Sequence, residues 1–271
     1  MTHDPRDQEI ASLKQVIQQL EQTSKMLVRR DLDLRRAYEE LKLVDQQKSE
    51  FVSVAAHQLR TPLTSVRFAI QILREVTTGK LEPAQQDMLM KAEESMKRMF
   101  TLIQDLLMID KLEYGNLQFE KSPFDLTELI KEIYDHEVAR ATGRNIKLTL
   151  ESNTEIPHYS GDRRRLQDVF SNLIDNAIKY SHEGGKVLCR ITHNEGAVTI
   201  TVSDEGIGIP ENEVSALFRK FSRLPNAMRV DPGGSGLGLY ICRSIVERHG
   251  GTISFVPNVP QGTCFTVVLP L

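Results

Sequence analysis

The sequence predicts a multi-domain protein: an all-α region made of a coiled coil and a helical hairpin, followed by an α+β sandwich. Three observations carry this. Between about residues 8 and 50 there is no glycine or proline, and leucine recurs every seventh residue, at Leu13, Leu20, Leu27, Leu34 and Leu41. Two helix-patterned stretches flank the short polar segment TTGKLE at 77–82. Beyond residue 120 the pattern changes to short alternating runs broken by glycine and interleaved with two helical stretches.

The leucines form one half of a heptad pattern, and Ile10, Ile17, Ser24, Asp31, Tyr38 and Asp45 form the other. Apolar residues at both positions of consecutive heptads specify a coiled coil, and polar residues at some of them set register and strand number at a cost in stability. The same stripe also suits a single amphipathic helix packed on its own domain. This helix is assigned to 1–48. Nothing breaks it before Pro62, which removes a helix hydrogen bond and is expected to bend the chain there. A second helix is expected from Pro83, well placed in a first turn, to Leu112, with Ala92, Met96, Met99, Ile103 and Leu106 on its bundle face. Two helices on a short loop make an antiparallel hairpin over 49–115, and its exposed apolar seam predicts a homodimer closed as a four-helix bundle.

The third region, 120–271, opens with a short strand, a turn at Pro123 and a helix capped near Asp125. Segments 145–152, 186–194, 197–204, 251–258 and 262–270 alternate as half-buried strands, and 161–181 and 237–250 are helical, which predicts a mixed sheet with helices on one face. Bulk properties exclude several classes. A net charge of −3 offers no nucleic-acid surface. The three cysteines (Cys189, Cys242, Cys264) have neither zinc nor disulfide spacing and suit a reducing, cytoplasmic setting. No apolar run approaches the roughly 20 residues of a membrane span, so the chain is expected to be soluble, either alone or as the cytoplasmic part of a longer sensor.

Four motifs follow in order. In NLIDNAIKYS, Asn172, Asn176 and Lys179 share one helical face. Amide oxygens are hard ligands suited to Mg²⁺, and a lysine there reaches triphosphate oxygens; a solvated polar face has the same pattern. In VSDEGIGIP, Asp204 ends a strand beside Gly206 and Gly208, where a buried carboxylate accepts a hydrogen bond from an exocyclic amine such as adenine N6, although surface turns look similar. In DPGGSGLGLY, Gly233, Gly234, Gly236 and Gly238 run into a helix, giving backbone N–H groups aimed at an anion. No βαβ unit accompanies them, so a dinucleotide fold is not implied. Phe218 and Phe221 read as anchors of a mobile lid or as plain core, and Arg223 or Arg219 as a phosphate ligand. In QGTCFTVVLP, Gly262 and Thr263 shape the pocket wall.

This ordered set resembles the catalytic ATP-binding domain of bacterial two-component sensor histidine kinases. The resemblance implies a Bergerat-type ATP fold over 120–271. It places Asn176, supported by Asn172, on Mg²⁺. It puts Lys179, Arg223 and the loop of Gly234, Gly236, Leu237 and Gly238 on the phosphates. Tyr180 falls near the nucleoside, Asp204 with Gly206 and Gly208 at adenine, and Thr263 in the wall. Chaperone, topoisomerase and mismatch-repair ATPases share that fold. The upstream stretch FVSVAAHQLRTPLT separates them, because it resembles the phosphoacceptor box of histidine kinases and makes His57 the acceptor.

Imidazole has a reference pKa near 6.5, so at neutral pH it is largely a neutral nucleophile. The resemblance implies attack by Nε2 on the γ-phosphorus of ATP, followed by transfer to an aspartate of a response regulator receiver domain. Gln58 departs from the usual Glu or Asp: its carbonyl still holds the imidazole N–H but accepts no proton, which predicts a slower kinase. Thr61 lies on the same helical face and in relatives helps position water for dephosphorylating the regulator. The alternative to an active kinase is a degenerate, ATP-binding, dimeric signalling scaffold.

Overall fold

The computed structural model describes the backbone of residues 5–77, 81–113, 117–152, 158–194 and 196–271. The side chains at 5–18, 21, 45, 46, 48–51, 53, 57, 211, 212 and 215 lie outside the described set, which takes in the heptad positions Ile10, Leu13 and Ile17 and the His57 imidazole. The chain divides into two compact units, Met1–Ala55 and Ala56–Leu271.

Helix α1 runs Pro5–Thr77 and includes Pro62 in its interior. Within the first unit Leu20, Leu27, Leu34 and Leu41 are all exposed, as a coiled-coil stripe is in a lone chain. Pro62, expected to bend the chain, has no N–H to give the carbonyl of Gln58 four residues earlier, and the helix continues beyond it.

In the second unit, α1 pairs with α2 (Pro83–Glu113). Arg74 meets Glu93 at 3.1 Å, and the Arg67 guanidinium lies 5.2 Å from the Phe100 ring centre. Both contacts give the same antiparallel register, which carries position 57 to the level of residue 110. Ala56, Met96, Ile103, Ile109 and Leu112 are buried, whereas Met99 of the expected bundle face is exposed.

The sandwich begins with β1 (Ser122–Phe124) and α3 (Leu126–Gly143). Pro123, expected in a turn, lies inside β1 opposite Ser160 of β3 (Tyr159–Gly161). A residue with no N–H to donate is tolerated in a strand of a two-stranded sheet, where one side is an edge. Asp125 caps α3 by accepting from the N–H groups of Thr127 at 2.8 Å and Glu128 at 3.1 Å.

A five-stranded sheet has the order β2-β4-β5-β7-β6, from β2 (Lys147–Ser152), β4 (Lys186–Asn194), β5 (Ala197–Asp204), β6 (Thr252–Pro257) and β7 (Thr263–Pro270). Only the β2–β4 pair of this sheet is parallel. Helix α4 (Arg163–Tyr180) buries Leu166, Val169, Phe170, Leu173, Ile174, Ala177 and Ile178, a stripe at three- and four-residue spacing. It packs against Val198, Ile200 and Val202 of β5 and Ile245 and Val246 of α6 (Gly238–Arg248) in one hydrophobic core. With its apolar face committed to the sheet, α4 presents Asn172, Asn176 and Lys179 on another side. Between β5 and α6 lie a 3₁₀ turn (Glu211–Ala216) and a short helix α5 (Pro225–Val230), neither of which the sequence pattern announces.

Candidate functional site

A cavity of about 470 Å³, within the range of small-ligand sites, opens between α4, the end of β5, the segment 222–238 and α2. It brings together Asn172, Asn176, Lys179, Tyr180, Asp204, Gly208, Arg223, Gly234, Gly236, Gly238 and Thr263 from the sequence-derived set.

Asp204 is part of its wall. The carboxylate is 4% exposed and accepts the Thr263 N–H at 3.2 Å. Burial pushes its pKa up to about 6, against the opposing hydrogen bonds from the backbones of Thr263 and Gly206. Two glycines let the backbone close around it. A Cβ on Gly262, whose φ is +131°, would lie 1.9 Å from the Asp204 carbonyl oxygen, and one on Gly206 would lie 2.2 Å from that of Tyr180. Gly206 thus shapes the site from behind, bridged to Ser181, and does not line the cavity.

Along α4, Asn176 donates its Nδ2–H to Asn172 Oδ1 at 2.9 Å, which leaves the Asn176 Oδ1 as the acceptor end of that amide. The Asn172 amide lies against Gly238 at the start of α6; a Cβ there would meet its nitrogen at 2.5 Å. Lys179 pairs with Asp231, and its ammonium also lies 5.5 Å from the Tyr180 ring centre. Arg223 donates to the Pro232 carbonyl at 2.8 Å and to that of Asp231.

Leu237, expected at the ligand, is 0% exposed and belongs to the hydrophobic core. An apolar side chain at the start of α6 gains more from the core than from a polar cavity, so only its backbone serves the loop. Phe218 packs partly buried beside Phe255, with ring centres 6.5 Å apart. Phe221 is 65% exposed with a φ of +58°, so the second of the two expected anchors is not in the core.

The sequence reading missed the hairpin's share of the wall. Asp105 of α2 accepts the Ser235 hydroxyl at 3.0 Å, and that hydroxyl oxygen accepts the Leu237 N–H at 3.2 Å. Burial raises the Asp105 pKa, with the Ser235 bond opposing it. Arg98, held 2.5 Å from Glu94, lies against Gly233, and Glu113 pairs with Lys220. The contacts of Asp105 with Ser235, Arg98 with Gly233 and Glu113 with Lys220 join residues more than 100 positions apart and have no local signature. Asp175, beside Asn176, also lines the cavity and pairs with Arg140.

Gln58 and Thr61 are exposed on α1 and do not line the cavity. The hairpin wall spans residues 94–105, so by register the level of position 57 lies about 7 Å or more along α2 from its nearest part. Among the described residues no three His, Cys, Asp or Glu side chains converge as a metal site, and no helix is long and apolar enough to cross a membrane.

Two families match the chain. The phosphoacceptor domain of His Kinase A covers residues 47–115, and the "Histidine kinase-, DNA gyrase B-, and HSP90-like ATPase" family covers 161–271. The alginate biosynthesis sensor protein KinB of Pseudomonas aeruginosa is 33% identical over 91% of this chain and 40% of its own length. The catalytic domain of histidine kinase ThkA superposes with a TM-score of 0.50 at 32% identity, covering 57% of this chain and 96% of that one. Full-length ShkA in complex with AMPPNP gives a TM-score of 0.68 at 25% identity, covering 82% of this chain and 45% of that one. The chain spans less than half the length of the curated relatives it matches.

Proposed function

The chain belongs to the two-component sensor histidine kinase family, and on that premise we propose that it autophosphorylates His57 with ATP and passes the phosphoryl group to an aspartate of a response regulator. The observation that carries this is the cavity itself, whose wall combines a buried carboxylate, Asp204, with a lysine, an arginine and the glycine-rich entry to α6. A purine amine suits the carboxylate, and a phosphate chain the others.

In this reading Asp204 accepts from adenine N6, Tyr180 lies by the nucleoside, and Lys179, Arg223 and the 234–238 backbone hold the phosphates. The donor set on α4 fits Mg²⁺, which favours oxygen ligands and is commonly held by one or two protein groups together with substrate phosphates. Asn176, supported by Asn172, would hold it. Bound Mg²⁺ supplies positive charge at the phosphate oxygens. The His57 Nε2 lone pair forms the bond to the γ-phosphorus as the bond to the β-γ bridging oxygen breaks, and ADP leaves. The imidazole then gives up its Nδ1 proton to solvent, because Gln58 has no basic oxygen to take it. Since the cavity faces α2 at 94–105 rather than the level of residue 57, the step requires the sandwich to move relative to the hairpin.

The exposed leucine stripe of α1 and the apolar hairpin seam support a homodimer. The cysteine usage supports a cytoplasmic setting. The proposed division is a signalling helix at 1–48, a phosphotransfer hairpin at 49–115 and an ATP-binding domain at 120–271, with Thr61 positioned for phosphatase chemistry on the regulator.

The test is incubation with Mg²⁺ and γ-labelled ATP. The kinase reading expects acid-labile, base-stable label on the chain that disappears in His57→Ala. ATP binding without label would favour the scaffold.

A further inference from the structure

Asp231 is a carboxylate inside the anion cradle that the preceding section gives to phosphates. Its carboxylate pairs with Lys179 and accepts the Gly233 N–H at 3.2 Å. Its backbone carbonyl, together with that of Pro232, takes the Arg223 guanidinium. One short segment thereby satisfies both cations of the site. The lysine and carboxylate side chains are 25% and 12% exposed, so the pair is partly removed from water. Desolvation alone would raise the Asp231 pKa, but the Lys179 hydrogen bond and charge outweigh it, and the net shift is downward. The carboxylate is therefore ionised at neutral pH and cannot share Lys179 with a phosphate without like-charge repulsion.

We propose that the Asp231 carboxylate competes with a ligand's phosphates for Lys179 and must be displaced by them, so that it restrains the binding of polyanionic nucleotides while leaving the nucleoside end of the site untouched. The inference rests on the nucleotide reading of this cavity. Displacement is sterically provided for: Asp231 leads into Gly233, Gly234 and Gly236, the last at a φ of +68°, so the segment swings on residues with wide backbone freedom. An uncharged nucleoside does not compete for Lys179, whereas a triphosphate replaces one carboxylate with several oxygens. The closed fraction lowers the apparent affinity of every ligand that needs the lysine.

The experiment is calorimetric titration of the full chain and its Asp231→Asn, Lys179→Met and doubly substituted variants with adenosine, ATP and inorganic tripolyphosphate, with Mg²⁺ and with EDTA. In EDTA, Asp231→Asn is expected to bind ATP and tripolyphosphate about five- to tenfold more tightly. Its adenosine affinity, which also reports folding, is expected to be unchanged. The gain is expected to vanish in the Lys179→Met background. Three results would overturn the proposal: no gain, an equal gain without Lys179 (simple removal of charge), or weaker MgATP binding, which would make Asp231 a ligand of the bound complex. A wild-type chain that binds neither adenosine nor ATP brings down the nucleotide reading instead, and the tripolyphosphate arm then decides the proposal by the same criteria. Asp231→Ser repeats each arm should the asparagine variant lose adenosine binding.

Discussion

Replacing Asp204 by asparagine should make the unliganded protein more stable while damaging nucleotide binding. The carboxylate is 4% exposed, and its pKa is raised to about 6 from an ordinary 3.8. A pKa raised in the folded state means that ionisation is harder there than in the unfolded chain. Well below the unfolded value of 3.8 both states are protonated and nothing is lost. Between pH 4 and 6 the unfolded chain ionises first and stability falls; above 6 the penalty is complete. About two pKa units at 1.36 kcal/mol each set a ceiling near 3 kcal/mol. Asparagine carries no charge but accepts fewer hydrogen bonds from the Thr263 and Gly206 backbone, which takes back about 1 kcal/mol. The net gain is about 1–2 kcal/mol, or on the order of 2–6 °C in Tm for a domain of this size.

Thermal melts of wild type and Asp204→Asn without nucleotide, at pH 7.5 and pH 4.5, check this. Other groups titrate alike in both proteins, so the difference isolates residue 204. It should be positive at pH 7.5 and shrink toward zero at pH 4.5. ATP affinity of the variant should fall about tenfold or more, because an amide held by the Thr263 N–H turns its own NH₂ toward the adenine amine. A variant that melts no higher than wild type at pH 7.5, or whose advantage is independent of pH, refutes the reasoning.

Gly262→Ala places a methyl 1.9 Å from the Asp204 carbonyl oxygen at a φ of +131°, and should lower stability by about 2–3 kcal/mol, read from urea unfolding. His249 is buried and neutral, with Nε2 accepting the Asp162 N–H at 3.0 Å and Nδ1 on the Ile245 carbonyl at 2.8 Å. Burial lowers its pKa, so its stabilisation is present above the unfolded value near 6.5 and is lost as pH falls through the lower folded one. The Tm gap between wild type and His249→Phe should accordingly be widest above pH 6.5 and narrow below it. Gln58→Glu places a proton acceptor beside His57, the proposed phosphoacceptor, and should raise the autophosphorylation rate by about 10² in a single-turnover assay; an unchanged rate would show that solvent suffices.

What the sequence made legible follows the range of the interaction. The long helix α1, the α4 stripe and the alternation in β4, β5 and β7 rest on local periodicities, and each element appears where it was expected. Asp204, Asn172, Asn176 and Lys179, singled out from motifs a few residues long, line one cavity. The three-residue strand β3 was missed because it is too short to show a period and exists only through pairing with β1 across more than 30 residues. A motif does not say which of its members faces inward: the Leu237 side chain completes the core, which leaves only its backbone to the loop. Asp231, Arg98 and Asp105 belong to a third kind. They reach the cavity from outside its motifs: Asp231 pairs with Lys179, and Asp105 accepts the Ser235 hydroxyl across 130 positions. Such contacts are ones a motif has no means to record. Variants at Asp231 and Asp105 should shift the balance between resting and working states more than they change the chemical step itself.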